Sequence, residues 1–264
     1  MKAAKRSLLW EISGPQLPGP SFVFGTMHVR DQRAFENARL VLEKIESCKA
    51  FACEFDLNAA QHHPINTDVM LPPDQQLHRL LSPRKWEKLQ HMALKGFQVD
   101  LRQIRHLRPL FLIQILTEQL LQKDMPFSLD EFLWRSAEEQ GKYLLGIETL
   151  EEQEQIMIGL PLQQQIKALV QLVHNPGQLH RQLIHMTRLY QEQDIYRLYQ
   201  SSRKSAGTMR KRVLLHRNFV MAERIGKHVL QRTQFSAIGA GHLAGGKGVL
   251  RLLKKQGLKI RPLH

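Results

Sequence analysis

Short, nearly continuous apolar runs stand near both ends of the chain, while the long middle repeats its apolar residues at helical spacing. The stretches "SLLWEIS" (7–13) and "SFVFGTMHV" (21–29) read as strands. The Gly/Pro-rich "GPQLPGP" between them predicts a hairpin with a longer loop. Residues 34–46 place Phe35, Ala38, Val41, Leu42 and Ile45 on one helical face. "AFACEFDL" (50–57) then reads as a strand that starts buried and turns acidic. The opening is therefore β-β-α-β, with a last connection long enough for a right-handed crossover.

From about residue 77 to 230 the pattern is helical. "SPRKWEKLQHMALKG" (82–96) carries Ser at the N-cap, Pro at the first helical position and Gly at the far end. "SLDEFLWRSAEEQG" (128–141) opens on the capping box Ser128-x-x-Glu131 and closes at Gly141. A short strand, "KYLLGIE" (142–148), interrupts the helices, and Thr149-x-x-Glu152 caps the next one. Segments 177–200 and 206–230 continue as helices with polar faces. The chain closes with strand "QFSAIGAG" (234–241), helix "GVLRLLKKQG" (248–257) and strand "LKIRPL" (258–263). The fold class expected is α/β. One domain, 1–264, has a mixed central sheet formed by N- and C-terminal strands, its edges at the two chain ends, and a large helical insertion at about 77–230.

Composition agrees with a folded chain: 42% hydrophobic and 23% charged residues among 264. The net charge of +14 thickens in "RKSAGTMRKR" (203–212) and in the last eighteen residues. No nucleic-acid motif or aromatic-rich basic stripe accompanies it, so the cations read as solvated helix faces and no specific nucleic-acid partner is expected. Cys48 and Cys53 flank "KAFA" without metal-ligand spacing, and read as two free buried thiols suited to a reducing cytosol. The apolar run after the basic start of "MKAAKRSLLWEISG" is shorter than the ~7–15 residues of a signal peptide. No segment reaches the ~18 apolar residues of a membrane span. A cytoplasmic protein with no membrane partner is expected.

The candidate chemistry stands at three strand ends: His28 after "FVFGTM", Glu54 with Asp56 after "AFAC", and His242 after "SAIGAG". Ligands and catalysis gather at that edge of an open α/β sheet. Gly25 and Gly239 each precede a histidine by three residues, where a missing Cβ permits a sharp turn or a close approach. Two histidines and a carboxylate can hold a divalent ion of the Zn, Mn, Fe or Co type. Alternatively, one imidazole paired with a carboxylate can activate water with no metal.

Two further motifs carry less. Gly241-x-x-x-x-Gly246-Lys247 matches the start of a phosphate loop, but Gly248 stands where Ser or Thr should follow, so nucleotide binding is not expected. Gly241 and its neighbours still make an anion-friendly helix start. "HHP" (62–64) opens a proline-bearing loop with no third ligand nearby in sequence.

The series "LWEISG", "FGTMHVRD", "ACEFDL", "LDEFLW", "GIETLEEQ", "HRNFVMAERI" and "AIGAGHLAGGKGVLRLLKKQG" resembles the TraB/GumN family, which includes the Tiki-type proteases. The resemblance runs over roughly residues 8–263. It implies a compact α/β fold similar to the erythromycin-esterase and ChaN-like groups. It also implies a site on Gly25, His28, Glu54, Gly239 and His242, with Arg217 as a charge-stabilising donor.

On that basis the expected activity is metal-dependent, peptidase-like hydrolysis of a peptide or small molecule. His28, His242 and Glu54 would bind the ion, or Glu54 would serve as general base. A metal-free esterase and a non-catalytic binder of haem or an anionic ligand remain alternatives. Arg217 could instead simply pair with a carboxylate. Glu148 reads first as a helix N-terminal carboxylate and second as support for the site. Asp56 and Arg30 are weaker candidates.

Overall fold

The computed structural model describes residues 6–62 and 67–264. Six strands form one sheet: β1 (Leu9–Ser13), β2 (Ser21–Thr26), β3 (Ala50–Cys53), β4 (Tyr143–Gly146), β5 (Gln234–Gly239) and β6 (Lys259–Leu263). Their order is β4-β3-β5-β2-β1-β6. The first four in that order run parallel, while β1 is antiparallel to both β2 and β6. This is the mixed α/β sheet expected.

β2, β3 and β5 are buried almost throughout, as strands in the middle of a covered parallel sheet must be. Their aromatic residues meet on one face, where Phe51 and Phe235 stack with ring centroids 5.9 Å apart and Trp134 meets Phe51 edge-on. The edges differ from expectation. β6 from the C-terminus is one edge, but N-terminal β1 is interior and β4 is the other edge. The side chains give the reason. Leu9, Trp10 and Ile12 of β1 are buried, whereas β6 alternates exposed and half-buried and carries Pro262, which edge strands tolerate.

The chain divides into two compact units, one of Met1–His62, Gln122–Glu152 and Met186–His264, the other of His63–Leu121 and Gln153–His185. The helical stretch 77–230 is thus shared between them. The first unit holds the whole sheet. The second is helical, with Leu89, Ala93, Phe97, Leu112, Leu116, Leu169 and Val173 in its core.

Local signals act as their chemistry dictates. Ser128 accepts from the Glu131 N–H at helix Leu129–Glu139, and Gly141 beyond it takes φ +65°. Thr149 and Glu152 cap reciprocally at 3.1 and 2.9 Å. Cys48 and Cys53 are free and buried, and burial pushes both thiols up. Among the described residues no helix is long and apolar enough to cross a membrane. The basic start (residues 1–5), together with His63 and Pro64 of "HHP", lies outside the described residues.

Candidate functional site

Because β2, β3, β4 and β5 are parallel, their C-terminal ends share one edge, and the residues that leave them converge there. β5 lies between β2 and β3, with Thr26 opposite Gly239. The close approach at this edge depends on two glycines. A Cβ on Gly25 would stand 2.6 Å from Leu243 Cδ1 and 3.1 Å from the Ala240 backbone. A Cβ on Gly239 would stand 3.1 Å from Glu54 Oε1. A cleft of about 230 Å³ opens here, its lining including Thr26, His28, Glu54, Gly239, Gly241 and His242.

Glu54 is held from two sides. Gly239 N–H donates to Oε1 at 2.8 Å, and Arg217 Nη2 donates to Oε2 at 2.6 Å. Burial pushes this carboxyl up, but the Arg217 charge and the two hydrogen bonds overcome it and bring it down to about 2. Arg217 also spans Glu148, with Nε 2.9 Å and Nη2 2.6 Å from Oε2. Glu148 is almost fully buried, its side chain 2% exposed, and burial raises its carboxyl. The Glu148 carboxylate thus faces Arg217, and the Glu148 N–H bonds to the Glu54 carbonyl, which sets the two segments side by side.

His242 is buried behind Glu54, with Nε2 3.9 Å from Glu54 Oε1. Its Nδ1 lies 2.5 Å from Asn218 Oδ1. Asn218 Nδ2 donates to the Lys247 carbonyl at 2.8 Å, and a carbonyl can only accept. That contact fixes the amide orientation, so Oδ1 accepts from His242 and the imidazole proton sits on Nδ1. Nε2 is left with its lone pair. Burial pushes the imidazole down, the Glu54 carboxylate opposes this and Arg217 reinforces it, leaving His242 at about 4. Arg217 and Asn218 begin helix Arg217–Gln231 directly after the π-helical turn Lys211–His216, a geometry frequent at functional sites.

His28 is placed differently. Its side chain is 76% exposed, with Nδ1 3.5 Å from Asp130 Oδ2. Among the described residues, no three His, Cys, Asp or Glu side chains are grouped to hold a metal ion. The expected set of His28, His242 and Glu54 does not fit one as arranged. Both Glu54 oxygens are already engaged, a guanidinium lies against one of them, and His28 is mostly in solvent.

Arg217 is in contact with two carboxylates, those of Glu54 and Glu148. Asp56 instead caps helix Leu57–Gln61, accepting from the Asn58 and Ala59 N–H groups. Arg30 Nε donates to the Met125 carbonyl. Gly241 lies against Ser202 Oγ, which a Cβ would meet at 2.5 Å.

Asn218 stands beside Arg217 in the sequence, but its residue type alone announces no role. Asp130 reads there only as a position inside the Ser128-x-x-Glu131 capping box. Tyr190 carries no sequence signal, yet its hydroxyl donates to the Gly25 carbonyl at 2.7 Å.

The model of the TraB/PrgY/gumN family matches residues 8–262. The chain belongs to the TraB/PrgY/gumN family. Among its relatives is the metalloprotease TIKI2 of Danio rerio, 24% identical over an alignment covering 96% of this chain. This TraB/PrgY/gumN chain spans 60% of that relative's length. No solved structure matches it.

Proposed function

We propose that this chain is a hydrolase, peptidase-like in its chemistry, acting on a peptide or small-molecule ester or amide in the cleft of β2 and β5. The observation that carries this reading is the lone pair of His242 Nε2, 3.9 Å from the Glu54 carboxylate, with the imidazole proton held on Nδ1 by Asn218. Such an imidazole accepts a proton from water as the water oxygen attacks the substrate carbonyl. Glu54 favours the imidazolium that forms, and Arg217 keeps Glu54 ionised and in place. The proton then passes to the leaving amine or alcohol as the C–N or C–O bond breaks. Membership of the family and the name of the TIKI2 relative support hydrolysis as the reaction class.

Metal dependence is a second reading, taken from the name of that relative. Charge favours it: Glu54 and Glu148 face one guanidinium, which leaves one negative charge beside an imidazole nitrogen free of a proton.

The test is turnover of a chromogenic ester and of quenched fluorescent peptides, with and without chelator. His242→Ala and Glu54→Gln should each remove at least ~100-fold of the rate. Unchanged turnover in both variants would overturn the hydrolase reading. Loss on chelation, restored by a divalent ion, selects the metal-assisted form.

A further inference from the structure

We propose that Asp130 is the positioning residue for His28, fixing its proton on Nδ1 so that Nε2 is the nitrogen left to act in the cleft; this rests on reading the cleft as hydrolytic. Asp130 Oδ1 is committed, since the Thr26 hydroxyl donates to it at 2.6 Å. Oδ2 is buried and has no hydrogen-bond partner, which is costly for a carboxylate oxygen and calls for an acceptor role. The neighbouring phenol of Tyr190 does not supply the donor, because its hydroxyl already donates to the Gly25 carbonyl. His28 Nδ1 stands 3.5 Å from Oδ2, a slight ring rotation from a hydrogen bond.

The backbone holds this pair in register. Leu129 N–H donates to the Val29 carbonyl at 3.1 Å, and Met125 N–H donates to the Arg30 carbonyl at 2.8 Å. Arg30 Nε returns to the Met125 carbonyl at 2.8 Å. The residues that follow His28 are thus tied to residues that precede Asp130, and Asp130 is set within the first turn of a capped helix. Thr26, at the end of β2, ties the carboxylate to the strand that delivers His28. The arrangement repeats on His28 what Asn218 does for His242: a buried oxygen takes Nδ1–H and leaves Nε2 for chemistry.

The test reads the His28 tautomer by long-range ¹H–¹⁵N correlation of the full-length protein at pH 7.5, the His28 signals assigned by their loss in His28→Ala. Wild type should show the Nδ1–H form. In Asp130→Asn the new amide can donate to Nδ1, so the tautomer should invert to Nε2–H, with kcat falling ~10–100-fold and KM changing less than about twofold. Asp130→Glu should restore the Nδ1–H form in part.

A wild-type Nε2–H form, or an unchanged tautomer in folded Asp130→Asn, would overturn the proposal. Should Asp130→Asn not fold, Asp130→Ala decides, because it removes the acceptor altogether: loss of the Nδ1–H preference of His28 supports the proposal and an unaltered tautomer defeats it. Full activity in His28→Ala alongside an inverted tautomer in Asp130→Asn would leave Asp130 as the positioning residue and remove His28 from the hydrolytic reading.

Discussion

Asn218 decides which nitrogen of His242 carries the proton, because its amide is oriented by the Lys247 carbonyl on one side and meets Nδ1 on the other. Asn218→Ala leaves His242 Nδ1 and the Lys247 carbonyl without this partner. The expected cost is about 1–3 kcal/mol of stability, measured by urea unfolding. The rate should fall ~10–100-fold even though no reacting atom is removed. An intact rate would show that the tautomer is held by something else.

Arg217 faces two carboxylates while itself only 14% exposed. Removing it strands two negative charges, so Arg217→Ala should lose about 3–5 kcal/mol in chemical denaturation. Adding Glu148→Leu to Arg217→Ala should recover part of that loss, because one stranded charge disappears with it. No recovery would mean that Glu148 does not depend on Arg217.

Acidification should weaken the fold through His242. Its pKa falls from the ordinary 6.5 to about 4 in the folded chain. Between those values the unfolded chain binds a proton that the native chain does not, so stability falls as pH falls through this window. At pH 5 the loss attributable to His242 is about 2 kcal/mol relative to pH 7.5. Glu54, lowered from 4.5 to about 2, adds its own loss only at more acid pH. Urea midpoints at pH 7.5 and 5.0 should therefore converge more closely in His242→Gln than in wild type. Equal slopes in the two proteins would contradict the buried, neutral imidazole.

Gly25→Ala should be destabilising by about 1–3 kcal/mol, because its Cβ meets Leu243 and the Ala240 backbone rather than open space. The displaced segment carries His242, so activity should fall together with the melting temperature. Gly246→Ala is the control: nothing lies within 4 Å of its Cβ, and both readouts should stay near wild type.

Much of the site was legible in the order of residues alone. Apolar runs ending in Gly-x-x-His marked β2 and β5, the acidic turn after "AFAC" marked β3, and Ser128, Gly141 and Thr149 punctuated their helices, all through short-range sterics and capping. What tertiary structure decided is which of these ends meet, and what each side chain does there. β5 enters between β2 and β3 through pairings such as Phe22 with Phe235 and Ala50 with Gln234, far apart in sequence, which no local pattern encodes. That insertion brings Gly239 to Glu54 and places His242 behind it, while His28 stays at the solvent edge beside Asp130. Burial then acts on the assembled groups. It turns Arg217 from a free donor into the partner of two carboxylates, holds His242 neutral, and gives Asn218 and Asp130 roles that their side-chain types alone do not announce.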